Sequence, residues 1–115
     1  TWGDYKNATF EITKGKYSTN FGNTFTEVNG TYTKPENSGV LLTTGATERN
    51  SALNVYDLAG NTYEWTLEKS TNTNSPSAYR GGHYNSYGSY YPASHRSSTS
   101  PSNSSDSISI RSALW

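Results

Sequence analysis

The chain has 115 residues, enough for one domain and one core, and its nine Lys and Arg balance nine Asp and Glu. That neutrality excludes a basic footprint for nucleic acid or an anionic membrane, no apolar run approaches the ~18 residues of a membrane-spanning helix, and no signal-peptide pattern stands at Thr1. The lack of cysteine excludes disulfides, thiolate metal ligands and a thiol nucleophile, while ten Tyr, three Trp and three Phe among only 30 % apolar residues predict a small aromatic core under extensive loops.

With no initiator Met, residues 1–115 are expected to form a single domain from the C-terminal part of a longer chain. Thr1 is a candidate N-cap, with Asp4 in the first turn of a short helix that would turn Trp2, Tyr5 and Phe10 to the core. Asn29-Gly30 lies between two runs rich in Thr, Phe, Val and Tyr, which predicts a hairpin. A turn at 35–39 then leads into a short buried strand at Val40-Leu41-Leu42, and residues 46–54 read as one or two helical turns.

An Asp57-x-x-Gly60-Asn61 loop runs into Thr62–Leu67. There Tyr63, Trp65 and Leu67 alternate with Thr62, Glu64 and Thr66, the period of a half-buried strand. Residues 70–77 are a loop by composition, and the end of the chain, with Ile108, Ile110, Leu114 and Trp115, reads as a closing strand. Between them, residues 79–111 are rich in Ser and Tyr. Held by an apolar strand at the far end and rich in rings that disordered segments lack, this stretch is expected to be an ordered loop surface.

The combination of Asp57, Gly60, Asn61, Glu64 and Trp65 with Arg80-Gly81-Gly82 and the terminal Arg111 resembles the formylglycine-generating-enzyme branch of the C-type lectin fold, closely over residues 50–115 and loosely before them. The resemblance implies an α+β architecture: small antiparallel sheets, one or two short helices and long ordered loops. His83 stands where that family has Ser, and Ser109-Ile110 where it has Gly-Phe. The enzymes of the family use active-site cysteines, absent here, and its iron-dependent members use histidine clusters where this chain has only His83 and His95. The resemblance therefore implies the fold without the enzyme.

A narrower group fits better, the variable proteins of diversity-generating retroelements. Randomising the adenines of AAC codons yields Ser, Tyr, His, Thr, Asp, Ile, Gly and Asn, close to what fills positions 83–109. The resemblance then implies a binding surface. Tyr84, Tyr87, Tyr90 and Tyr91 are its expected anchors, with His83, Asn85 and His95 as polar contacts. Ser86, Ser89, Ser97, Ser98 and Thr99 extend it, as do Ser102, Asn103 and Ser104. Tyr supplies contact area at low conformational cost, and Ser and Asn supply adaptable hydrogen bonds, as in an antibody paratope.

Trp65, Arg80, Gly81, Gly82 and Arg111 would be scaffold, along with Pro92-Ala93-Ser94, Arg96 and Pro101. The partner implied is a host-cell or surface receptor, protein or glycan, met at a phage tail or bacterial surface, without nucleic acid or membrane insertion. A homo-oligomeric structural module of a fibre and a non-catalytic relative of the enzymes are the alternatives.

Other chemistry finds little footing. Asp57, Asn61 and Glu64 offer oxygens of the kind calcium takes, but their spacing is no EF-hand loop, and neither cofactor nor metal is expected. His83 and His95 lack a local ligand spacing. There is no Gly-x-Ser-x-Gly elbow, and His95 with Asp106 or Asp57 is the one conceivable base and orienting carboxylate. Sequons begin at Asn7, Asn29 and Asn103 and matter only in a eukaryotic secretory setting.

Overall fold

In a computed structural model of the chain, which describes residues 2–52 and 55–111, the order of elements is β1 (Phe10–Ile12), β2 (Lys16–Ser18), β3 (Thr26–Glu27), β4 (Tyr32–Lys34) and β5 (Leu41–Leu42), then a 3-10 turn (Glu48–Asn50). The short strands β6 (Ser51–Ala52) and β7 (Val55–Tyr56) follow, then the long β8 (Tyr63–Lys69), β9 (Ser77–Arg80), β10 (Arg96–Thr99) and β11 (Ile108–Ser109). Strands account for 33 % and helix for 3 %, so the expected α+β architecture is corrected to a nearly all-β one built around a curled sheet.

The N-terminal helix does not form. Asp4 instead makes a parallel bridge with Gly60: its N–H donates to Ala59 O at 3.1 Å, and Asn61 N–H donates to Asp4 O at 2.8 Å. Thr and Asn weaken the local helix propensity, and the tertiary partner wins. Thr1 itself lies outside the described residues. Tyr5 and Phe10 do reach the core, whereas Trp2 stays 43 % exposed. Farther on, the helical reading of 46–54 reduces to the single 3-10 turn, where Thr47 Oγ1 accepts from Arg49 N–H; Leu53 and Asn54 lie outside the described residues.

At Asn29-Gly30 the chain bends, with Gly30 at φ 84°, but it closes no hairpin. The strand before it, β3, pairs with β2, and the strand after it, β4, pairs with β1. Turn chemistry is local, whereas strand pairing follows the buried face. Phe10 and Ile12 of β1 alternate with exposed Glu11 and pair with Lys34 and Tyr32, while β2 sits between β3 and β5.

The core gathers Tyr5, Ala8, Phe10, Ile12, Val40, Leu42, Ala46 and Ala59, with Tyr17 and Tyr32 stacked 3.8 Å apart at its margin. Inside it lies a charge that the sequence reading did not anticipate. The Lys34 ammonium, wholly buried, donates to the carbonyls of Tyr5 and Ala8 at 2.8 Å and of Lys6 at 3.4 Å. Asp4 is equally buried, and both carboxylate oxygens lack a hydrogen-bond partner among the described residues. Burial pushes the Asp4 carboxyl well above its ordinary range against the pull of Lys34, and burial lowers the Lys34 ammonium.

The C-terminal half is a four-stranded sheet in the order β10-β9-β8-β11, with β11 parallel to β8 and the other pairs antiparallel. Tyr63, Glu64, Trp65 and Thr66 of β8 are all half-buried, so both faces are partly wet. Leu67, expected on the buried face, is fully exposed, within the register shift between Trp65 and Lys69. The closing strand is shorter than expected: β11 ends at Ser109, with Ile108 paired to Tyr63, and Ile110 is 79 % exposed beyond it; Leu114 and Trp115 lie outside the described residues.

Candidate ligand-binding surface

The loop before β8 sets the site's base. Asp57, Gly60 and Asn61 take left-handed φ values of 57°, 74° and 59°. A Cβ on Gly60 would meet Asp4 O at 2.1 Å, so only glycine lets these backbones bridge. The Asn61 side chain then acts as a strand partner, accepting from Leu42 N–H and donating to Leu42 O, each at 2.9 Å. Glu64 takes the Arg111 guanidinium in a two-pronged ion pair, and Arg111 also donates to Tyr56 O at 2.7 Å.

These groups, with Thr44, Asp57, Thr62, Ser109 and Ile110, surround a cleft of about 220 Å³. Burial raises the Asp57 carboxyl, eased by the Gly45 N–H. Asn61 and Glu64 spend their oxygens on Leu42 and Arg111. Among the described residues no three His, Asp or Glu side chains gather as metal ligands would.

Behind β9, Glu68 bridges two arginines, with Arg80 Nη2 at 2.9 Å and Arg96 Nε at 2.5 Å; Arg96 first, and then Arg80, hold its carboxyl below the ordinary range. Arg80 also donates to Ser94 O at 3.3 Å, tying β9 to the loop that follows. Gly81, at φ 78°, donates its N–H to His95 O. Gly82 has its own constraint: a Cβ there would lie 2.5 Å from the Tyr5 ring and 2.6 Å from Tyr91 O.

From Gly82 onward the Ser/Tyr segment is fastened at its backbone. Tyr84 N–H donates to Asn61 O, Lys6 N–H to Ser86 O, and Gly88 N–H to Asn7 Oδ1. Tyr90 and Tyr91 both donate to Tyr87 O, and His95 donates to Pro92 O. Residues 96–99 join the sheet as β10, Ser97 opposite Tyr79 and Ser98 opposite Ala78.

The side chains divide. Tyr87 (40 % exposed), Tyr90 (76 %) and Tyr91 (38 %) face solvent, with Asn85 and Ser89 between them. Ser102, Asn103 and Ser104 form an exposed turn after β10, while Ser97, Ser98 and Thr99 are half-buried in the strand. Two expected contacts are corrected: Tyr84 is 2 % exposed and Ser86 6 %, because the segment lies down on Lys6 and Asn61 there. Burial, and then Asp106, push the Tyr84 hydroxyl up to about 12.

His83 and His95 are half-buried in a seam of rings. Tyr63 lies 4.9 Å from His83, 6.3 Å from His95 and 4.8 Å from Tyr79; Tyr79 in turn meets Trp65 edge-on at 6.0 Å, and Tyr91 meets His95 at 4.9 Å. Burial lowers His83, partly opposed by Asp106. His95 Nδ1 is buried with no hydrogen-bond partner among the described residues, so neither Asp106 nor Asp57 orients it as a base.

Sequence reasoning placed Tyr63 and Tyr79 outside the surface, yet Tyr63 lies against both histidines and Tyr79 packs on Tyr63. The alternation of Tyr63 and Trp65, continued by Tyr79, was the available signal. Phe21 was missed altogether: it is 55 % exposed, at φ 60°, and lies 6.4 Å from the Tyr84 ring.

Fold and surface together define a nearly all-β, loop-rich domain in which a fixed base carries an outward-facing Ser/Tyr segment. The chain matches the Sulfatase-modifying factor enzyme 1-like domain over residues 1–114 and belongs to that family, in keeping with a lectin-type fold of the formylglycine-generating kind. The match takes in the N-terminal half, which the motifs alone reached only loosely. No curated protein and no solved structure matched the chain.

Proposed function

We propose that this domain binds a surface receptor through its Ser/Tyr-rich C-terminal segment, without catalysis, and that a diversity-generating retroelement varies that segment. The observation that carries the reading is the division of labour in residues 81–104. Backbone bonds, Gly81, Gly82 and the paired β10 hold the path of the chain, while the side chains of Tyr87, Tyr90, Tyr91, Ser102, Asn103 and Ser104 are exposed and reach only partners at the surface, such as Asn37 from Tyr87, His95 from Tyr91, Ser100 from Ser102 and Thr99 from Asn103. Side chains that do not support the fold can be exchanged without losing it, and Tyr beside Ser and Asn suits adaptable recognition. With no cysteine and only two histidines, the chain has neither the active-site cysteines nor the histidine cluster that the resemblance ascribes to the family's enzymes.

The setting proposed is a phage tail or a bacterial surface, where several copies would raise a weak single contact by avidity. The test is to sequence the gene segment for residues 75–115 from many individuals of the source population. Substitutions clustered at adenine-bearing codons between His83 and Ser109, sparing Gly81, Gly82, Pro92 and Arg111, are the expected result. An invariant segment would sink the retroelement reading and leave a dedicated partner or a fibre contact.

A further inference from the structure

Between β2 and β3 the chain turns through Thr19–Phe25, a loop held by an unusually complete set of bonds. Ser18 Oγ, 2 % exposed as a residue, accepts from the N–H groups of Gly22 at 3.0 Å and Asn20 at 3.4 Å and donates to Asn20 Oδ1 at 2.9 Å. Asn20 Oδ1 also accepts from Thr24 N–H at 3.0 Å, and Asn23 Nδ2 donates to Asn20 O at 2.8 Å. These bonds force Phe21 into the left-handed region at φ 60°, where a bulky residue is strained. Strain of this kind persists where the surroundings over-determine it, and here it displays a ring instead of burying one. Phe21 is 55 % exposed and Phe25, four residues on, 41 %.

Two exposed phenyl rings on one rigid loop are unfavourable in water unless something covers them. The loop meets the Ser/Tyr segment where the Phe21 ring lies 6.4 Å from that of Tyr84, the buried residue three positions before Tyr87. Charge narrows the occupant. Residues 18–26 and 84–95 contain no Asp, Glu, Lys or Arg, and three charges at their border are already engaged: Lys6 5.9 Å from the Tyr87 ring, Arg80 on Glu68 and Ser94 O, and Asp106 at the Tyr84 hydroxyl. An uncharged face complements an uncharged partner and offers nothing to phosphate. Asn85 and Ser89 could serve a sugar's hydroxyls and a ring can stack on a sugar face, but Phe21 and Phe25 add apolar area with neither donor nor acceptor, which suits an apolar protein patch better than a polyhydroxylated ligand.

We propose, resting on the binding function above, that Phe21 and Phe25 form a constant apolar rim of the same face and that its partner is a protein with an uncharged apolar patch. The variable side chains then tune a contact whose hydrophobic anchor stays fixed, the role that buried aromatics play at the centre of interfaces.

The test is to pan a phage-displayed random dodecamer peptide library on the intact domain and to probe a glycan array in parallel. Phe21→Gly removes the ring and relaxes the backbone, so its melting temperature should equal or exceed that of the parent; Phe25→Ser and the control Glu11→Ala complete the set. Recovered peptides rich in Leu, Phe and Trp, bound about tenfold or more weakly by Phe21→Gly and by Tyr87→Ser but not by Glu11→Ala, support the shared face. Binding that falls with Tyr87→Ser and Tyr90→Ser but ignores both Phe variants overturns the rim and spares the Ser/Tyr reading. Binding that needs the Phe residues and ignores every Tyr overturns the shared face and counts against that reading. Glycan binding with no recovered peptide, or no binding of either kind, overturns the protein partner.

Discussion

The two halves of this domain solve opposite problems. Residues 2–59 supply every member of the main core cluster, from Tyr5 to Ala59, and close it over a buried ammonium. Residues 63–111 add Ala78 and Tyr84 to the buried apolar set and otherwise form a sheet and loops wet on both sides, strung with Ser and Tyr. Foundation and display are thus separated along the chain. They meet at a few points: Gly60 against Asp4, Gly82 against Tyr5, and Ser86 O on the Lys6 N–H. The proposed exchange of surface side chains requires that stability lie elsewhere, and the core cluster of residues 5–59 is where it is concentrated.

The comparison breaks if substitutions in the two halves cost alike. The largest expected effect is at Lys34. Lys34→Met leaves the buried carbonyls of Tyr5 and Ala8, and the half-buried one of Lys6, without this donor, so urea denaturation should show a loss of about 3–5 kcal/mol, at about 1–3 kcal/mol for each buried acceptor left unpaired. A loss under about 1 kcal/mol, the scale of an exposed pair, would mean that the foundation does not depend on that charge.

The partner Asp4 gives a pH signature. Its folded pKa is raised above the ordinary value of 3.8, so the native state holds this proton after the unfolded chain has released it. The resulting stabilisation is present at low pH and is lost as pH climbs from 3.8 through the raised folded pKa, with a slope of at most about 1.4 kcal/mol per pH unit for one proton. Asp4→Asn should flatten that part of the stability profile. Parallel profiles for parent and variant would remove Asp4 from the account.

The smallest effects sharpen the contrast. Tyr90→Ser and Ser104→Tyr change fully displayed side chains, and each should shift stability within about 0.5 kcal/mol by thermal melting. A drop of about 2 kcal/mol at either would show that the display surface supports the fold after all.

Much of the display was legible in the sequence because its signals are compositional and local. The Tyr and Ser run, the Gly81-Gly82 pair, and the alternation of Tyr63 and Trp65 each carry their meaning within a few residues. The Asp57-to-Trp65 motif pointed to the family. Strand partners were not legible: Asn29-Gly30 looks like a hairpin, yet β3 and β4 join different sheets, a choice made by partners at a distance. The same holds for Tyr84, which reads like its sister tyrosines and is buried because Asn61 O, more than twenty residues earlier, fixes its backbone.

By itself, then, the sequence determined a neutral, cysteine-free, ring-rich domain with a Ser/Tyr-rich C-terminal segment, because charge, reactivity and turn chemistry belong to residue types and near neighbours. Only the tertiary structure decided that helices would be nearly absent, that Lys34 would sit among carbonyls in the core, and that Phe21 would be held out beside the Tyr segment. Each of these depends on which distant backbone groups come within a hydrogen bond of one another, and no local pattern encodes that distance.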